Sequence, residues 1–308
     1  MRVLVLGGYG AVGRHLVATL RHDGHTVLAV GRDAARSDEV VNRAESPLAT
    51  YREVLSDSDV VVNASGVENP RLAELAGASD RAFIDISATV GYLDQLRQLP
   101  PRAPIIIDVG LAPGLTNLLA VTVHAQAPGP VDIAVLLGAG ERHGAAATEW
   151  TYRLLGTHFD ADGQRIRNYT RPEKFTLPGY RRPRRLVRLN FSDQHTLRRE
   201  LNVPVRTFFG VDSRLAGAAL AALTWLPGAS HAPRGLHLPG TDRWIVLARG
   251  HDGTTCWAHG RNQSRATATI AAAAIRKFRH TPGGVQPVHH ILTLHDLPTE
   301  EITLNVPA

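Results

Sequence analysis

In the first third of the chain, apolar positions fall into short continuous runs, each followed by a polar, helix-like stretch. The runs cover residues 3–6, 26–30, 60–63, 82–86 and 105–108, and the helix-like stretches cover 16–22, 34–44, 71–76 and 93–99. Strands that are apolar along their whole length are buried on both faces. Their alternation with amphipathic helices implies a parallel sheet covered on each side. Residues 1–112 are therefore predicted to form a Rossmann-type, doubly wound α/β sheet, which binds ligands at the carboxyl ends of its strands.

After residue 112 the pattern changes. A helix over 115–125, with Pro113 at its first turn, precedes longer β-like segments at 131–137, 185–191 and 205–211. A hairpin follows, 244–249 and 254–259, turning at Asp252-Gly253. An alanine-rich helix at 265–278 leads through a Pro-Gly-Gly turn to an apolar tail at 289–294. These segments predict an inserted α+β substrate and dimerisation domain over 113–261. A C-terminal segment, 262–308, is predicted to pack back on the first domain. The apolar run 215–227 is too short to cross a bilayer and is expected to be a buried helix.

The turn after the first strand carries the most specific chemistry. Gly8, Gly10 and Gly13 fit G-x-G-x-x-G; Gly7, Gly10 and Gly13 fit G-x-x-G-x-x-G. Such glycines allow a tight strand-to-helix turn, close approach of backbone N–H groups to a pyrophosphate, and close helix–strand packing. The helix N-terminus adds free amides and partial positive charge. Tyr9, Ala11 and Val12 complete the candidate phosphate loop. The second strand ends at Arg32-Asp33, and an arginine at that tip suits the 2′-phosphate of NADP. NADP is the expected cofactor. Ala64, Ser65 and Gly66 at the fourth strand-like tip, Ser87 at the fifth, and Gly114 are further candidate cofactor positions.

Hydride transfer also needs a proton donor. The two lysines, Lys174 and Lys277, do not lie four residues after a tyrosine, so the Tyr-x-x-x-Lys pair of short-chain reductases is missing. His143, in a glycine-flanked turn, is the first candidate, with Glu149 in the following helix as a group that could orient it. His195, at the end of another strand, is the second. Cys256 falls within a predicted hairpin strand and reads as a buried structural thiol. The fifteen histidines show no metal-ligand spacing, and no metal is expected.

Composition adds limits. Apolar residues make up 44% of 308, enough for a sizeable core, and a single cysteine rules out an intrachain disulfide. The chain opens on a core strand, so no signal peptide is expected and a cytoplasmic location is. The formal charge is +6, and nine basic residues against one acid lie between Arg165 and Arg188. That segment suits a surface loop or an anionic small-molecule substrate. It has no nucleic-acid-binding signature, and neither nucleic acid nor membrane is expected as a partner.

Several of these stretches resemble the saccharopine dehydrogenase-like family: the Gly7–Gly13 loop, Val62–Gly66, Phe83-Ile84-Asp85-Ile86-Ser87, and the run from Asp108 to Asn117. The last is similar to the family's segment leading into the substrate domain, and Gly283-Val285-Pro287 is similar to its C-terminal return. The resemblance implies an NAD(P)-dependent oxidoreductase acting on C–N bonds, by reductive condensation of an amine with a carbonyl or its reverse. A homodimer is expected. The insert is shorter than in saccharopine-forming enzymes, which points to a smaller or different imine, carbonyl or enamine substrate. Two other readings stay open: a non-catalytic NADP-binding sensor or scaffold, and a lyase, cyclase or epimerase on the same fold.

Overall fold

The computed structural model describes residues 1–41, 48–141, 145–161, 163–229 and 240–306. The chain divides into two compact units, Met1–Gly114 with Ser264–Leu297, and Leu115–Gln263 with Pro298–Ala308.

The first unit is built on strands β1 (Arg2–Leu6), β2 (Thr26–Gly31), β3 (Glu39–Val40), β4 (Val60–Asn63), β5 (Ala82–Asp85) and β6 (Pro104–Ile107). Its helices are α1 (Gly13–His22), α2 (Ala49–Ser56), α3 (Pro70–Ala78) and α4 (Val90–Arg97). All strand pairs are parallel, in the order β3-β2-β1-β4-β5-β6, and a strand from the C-terminal part, Gly284–Pro287, adds to β6. This is the Rossmann order, with its reversal between β1 and β4. The continuous apolar runs are explained by burial: Leu4, Leu6, Val61, Phe83, Ile105 and Ile107 share one core with Tyr51, Leu72 and Leu93 from the helices.

One expectation fails here. No helix forms over the described part of 34–44. Asp33 Oδ1 accepts from the Ala35 amide at 3.0 Å and the Asp33 carbonyl from the Arg36 amide at 3.1 Å, closing a turn. Asp38 then accepts from the Ala29 amide at 2.8 Å, and the chain continues into β3 beside β2. Local side-chain capture of backbone amides outcompetes the helix.

The second unit begins with α5 (Thr116–Gln126) and β7 (Val131–Leu137), then α6 (Ala145–Arg153), β8 (His158–Ala161), β9 (Gln164–Arg167), β10 (Thr170–Phe175) and β11 (Arg184–Arg188). It continues through α7 (Ser192–Leu201), β12 (Val205–Val211), α8 (Arg214–Leu223), β13 (Arg243–Gly250) and β14 (Thr255–Arg261). Its mixed seven-stranded sheet runs β10-β11-β12-β7-β13-β14 and ends on a short strand, Thr303–Asn305, paired with β14. The predicted hairpin is present as β13–β14, antiparallel from Arg243↔Arg261 to Arg249↔Thr255. The long helix α9 (Gln263–Lys277), which from Ser264 onward belongs to the first unit, has ten buried residues, six of them alanine.

The expected buried helix at 215–227 is also corrected. Its helical part is α8, and Leu215, Trp225 and Leu226 all stand exposed. Only Ala216 of α8 is buried, because the helix is fastened at its ends by polar bonds rather than by its apolar face.

Candidate functional site

The candidate cofactor residues gather at the carboxyl ends of β1, β2, β4 and β5. Gly7 turns the chain with φ +79°, and a Cβ there would lie 2.7 Å from the Ser65 Cα, so the tips of β1 and β4 touch at the reversal of strand order. Gly8 and Gly13 are packing glycines: added carbons would lie 2.5 Å from the Ala29 Cβ and 2.1 Å from the Gly7 carbonyl oxygen. Gly10 differs. A Cβ there meets the Gly7 oxygen at 3.1 Å and the Ala64 oxygen at 3.9 Å, and otherwise points into open space. The amides of Ala11, Val12 and Gly13 donate to no group among the described residues, and α1 has no side-chain cap. These features form a cradle that a pyrophosphate fits: open above Gly10, with unmatched donors at a helix N-terminus.

The tip of β2 is closed by Tyr9. Its hydroxyl accepts from the Arg32 amide at 3.1 Å, and its ring lies across Gly31, where a Cβ would come within 2.0 Å of Cε1. Arg36 donates to the Tyr9 carbonyl at 3.3 Å, and its guanidinium carbon lies 4.6 Å from the Tyr9 ring centroid. Arg32, Asp33 and Arg36 are all exposed. Two cations therefore flank this tip. Asp33 is engaged by the turn that follows it. Arg36 was missed in the sequence because 34–44 reads as a helix.

Behind the tips of β4 and β5 lies a buried polar network. Asp85 Oδ2 accepts from Asn63 Nδ2 and from the Tyr92 hydroxyl, both at 2.8 Å, while Oδ1 accepts from the Ser87 amide at 2.7 Å. Asn63 Oδ1 accepts from the Ser65 hydroxyl at 2.7 Å, and Asn63 Nδ2 also donates to the Val67 carbonyl at 3.0 Å. Asp85 and Asn63 are buried. Burial pushes the Asp85 carboxyl above the usual range, against the hydrogen bonds from Ser87, Asn63 and Tyr92. Burial and the neighbouring Asp85 carboxylate raise the Tyr92 phenol. One carboxylate thus holds both Ser65 and Ser87 in place. A charge inside an otherwise apolar strand was the available signal for this role.

From the end of β6, Asp108 (φ +56°, buried) leads into a kinked segment with a cis Ala112–Pro113 bond and Gly114 at φ +130°. A guanidinium nitrogen of Arg97 lies 3.6 Å from the Asp108 carboxylate, and the Leu111 amide donates to Thr267 of α9 at 3.3 Å. Gly114 stands on this segment, where a Cβ would lie 3.1 Å from the Asp108 carbonyl oxygen.

The candidate proton donors belong to the second unit. His143 lies outside the described residues. His195 is in the first turns of α7, half-buried, with Nε2 donating to Asn190 Oδ1 at 2.6 Å. Asn190 is held in turn by its amide on Asn168 Oδ1, at 2.8 Å. Asp193 and Gln194 offer nothing to a ligand, since both are fully buried. Asp193 accepts from the Thr116 and Thr207 hydroxyls at 2.8 and 2.7 Å, and Gln194 accepts from Arg188 at 2.9 Å. Glu149 is exposed on α6, whose Trp150 packs on Phe191 just ahead of α7, ring centroids 4.9 Å apart.

The basic segment is partly internal. Arg188 is buried between the rings of Phe159 and Phe208, Arg184 donates to the carbonyls of Val211 and Asp212, and Arg167 donates to the Thr224 carbonyl. Cys256 is buried in β14, its thiol pushed up to about 12 by burial.

The apo saccharopine dehydrogenase (L-Glu forming) of Saccharomyces cerevisiae is similar to this chain from end to end. The likeness covers 94% of each chain, with TM-score 0.59 and 14% sequence identity. This chain has the saccharopine dehydrogenase fold. The model of the NAD dependent epimerase/dehydratase family matches residues 3–99, within the Rossmann unit of that fold. Two further solved structures are more distantly similar. An aspartate semialdehyde dehydrogenase from Francisella tularensis covers 85% of this chain and 77% of its own, at 12% identity and TM-score 0.38. A human epimerase family protein solved with NADPH covers 34% and 52%, at 17% and 0.24. No curated protein matches the sequence. No helix among the described residues is long and apolar enough to cross a membrane.

Proposed function

We propose that this chain is an NADP-dependent oxidoreductase that reduces a C=N or C=O bond of a small metabolite. The observation that carries the reading is the open cradle at Gly10 beside the arginine-flanked tip of β2, in a chain with a dehydrogenase fold along its length. Bound NADPH supplies a hydride to the carbon of the double bond, and the nitrogen or oxygen takes a proton.

The chain's residues have distinct tasks. The amides of Ala11, Val12 and Gly13 receive the pyrophosphate above Gly10. Arg32, with Arg36 stacked on Tyr9, receives the 2′-phosphate. Ala64, Ser65, Gly66 and Ser87, at the strand tips, would hold the ribose and nicotinamide, and Gly114 borders the segment leading from β6. The Asp85–Asn63–Tyr92 network keeps those tips rigid and does not itself react. His195 is the proton donor proposed from the described residues, with Asn190 fixing its ring; His143 and Glu149 are the alternative pair. The substrate is a small imine, enamine or carbonyl compound, and an anionic one suits the exposed arginines.

Fluorescence titration with NADPH and NADH, followed by NADPH oxidation with paired amines and 2-oxo acids, tests this reading. Tighter NADPH binding and stoichiometric cofactor oxidation are expected. The match of residues 3–99 to an epimerase and dehydratase family favours a second reading, an epimerase. In that case product would form without net oxidation of the cofactor.

A further inference from the structure

Five large apolar residues stand exposed among the described residues, and three of them, Leu215, Trp225 and Leu226, belong to α8 and the turn that follows it. Their exposures are 83%, 63% and 57%. The turn keeps helical hydrogen bonds, Trp225 amide to Ala222 carbonyl and Leu226 amide to Leu223 carbonyl. Leu215, Ala218, Ala219, Ala222, Trp225 and Leu226 therefore recur at the three-and-four spacing of one helix face, and all six are exposed.

The helix is fixed without using that face. Ser213 caps it by accepting from the Ala216 amide at 3.3 Å. At the other end, buried Thr224 donates to the Asn168 carbonyl at 2.9 Å and accepts from the Gly156 amide at 3.0 Å. The outer face is a rigid apolar ridge.

Cations predominate in and beside this helix. No acidic residue occurs from Ser213 to Ala229. Asp212, just before, is occupied by the Ala139 and Thr241 amides and the Thr241 hydroxyl. Arg214 opens the helix, Arg184 reaches the Val211 and Asp212 carbonyls, and Arg167 stacks on Trp225 at 4.5 Å. An exposed apolar helix face with a tryptophan, flanked by arginines and carrying no acid of its own, fits an interface whose surface is anionic and whose interior is hydrocarbon.

We propose that α8 is a peripheral membrane-docking helix that inserts Leu215, Trp225 and Leu226 into the interface of an anionic bilayer. The proposed contact is superficial, not spanning. A second copy of the chain fits less well. Antiparallel pairing of two α8 helices would bring the Arg214 end of one copy toward Arg167 of the other, cation toward cation, with Asp212 already engaged by the Ala139 and Thr241 amides and the Thr241 hydroxyl. The inference does not depend on the proposed enzymatic activity.

The test is flotation of the full chain with vesicles of phosphatidylcholine alone and of equal parts phosphatidylcholine and phosphatidylglycerol. Flotation with the anionic vesicles only is expected, with a blue shift of tryptophan emission that Trp225→Phe abolishes. Leu215→Asp combined with Leu226→Asp should remove binding while thermal unfolding stays unchanged, since neither side chain is buried. Arg214→Glu should weaken binding at least about fivefold, because each basic residue near an anionic surface contributes roughly that much. Absence of flotation by the wild type, or equal flotation by the double variant, overturns the proposal. So does a sedimenting dimer that the double variant converts to monomer without any vesicle binding, which would make α8 an interface between copies.

Discussion

The guanidinium of Arg36 lies over the ring of Tyr9, and the Tyr9 hydroxyl accepts from the amide of Arg32. One tyrosine from the glycine loop thus organises both cations at the tip of β2. Arg32→Ala should weaken NADPH binding roughly tenfold to a hundredfold and leave NADH almost unchanged, as expected for one charge-assisted pair. Arg36→Ala should act in the same direction by a smaller factor. Cofactor titration by fluorescence measures both, and equal losses for the two cofactors would refute the phosphate assignment.

Gly10 is the glycine whose missing side chain leaves space for a ligand. Gly10→Val should keep the fold, since only the Gly7 oxygen must yield by a few tenths of an ångström at Cβ, while blocking approach of the pyrophosphate. Unfolding temperature near wild type together with lost NADPH binding is the expected pair. Gly13→Val should instead unfold the unit, because its Cβ would lie 2.1 Å from the Gly7 oxygen.

Asp85 holds Ser65 and Ser87 through Asn63 and its own Oδ1. Its folded pKa is raised above that of an unfolded aspartate, so the folded state binds its proton more tightly. The corresponding stability is present at low pH and is lost as pH rises through the folded value. Asp85→Asn should remove this dependence. Thermal unfolding across a pH series, wild type against variant, should show the difference narrowing or reversing as pH rises. Tyr92→Phe, which deletes one donor, should raise the KM for cofactor more than it lowers kcat.

His195 is the proposed proton donor. Turnover should then fall as pH rises and the imidazolium is lost. His195→Ala should then lower kcat about a hundredfold with NADPH affinity kept. Wild-type turnover and an unchanged pH profile would transfer the role to His143.

The Cys256 thiol is buried, and burial pushes it up to about 12. Iodoacetamide should leave it unmodified in the native protein at neutral pH and alkylate it after denaturation, read by mass spectrometry.

What the sequence by itself determined is whatever rests on short-range pattern. Strand 60–63 was readable because burial on both faces demands a run of apolar residues, 131–137 and 205–211 because β-branched and aromatic residues cluster there, and the glycine loop because its turn needs those residues at that spacing. The Rossmann architecture follows from the alternation. Tertiary structure decided the features made by partners distant in sequence. The turn from Asp33 to Arg36 replaced a helix through Asp38 binding the Ala29 amide, which brought Arg36 over Tyr9. Asp85 became the brace of two strand tips only because β4 and β5 lie side by side. The apolar run of α8, which reads as core, stays outside because Asn168 and Gly156 anchor Thr224 and leave its face uncovered. Hydrophobicity alone specifies a preference for burial; which surfaces are covered depends on where the rest of the chain is tied down.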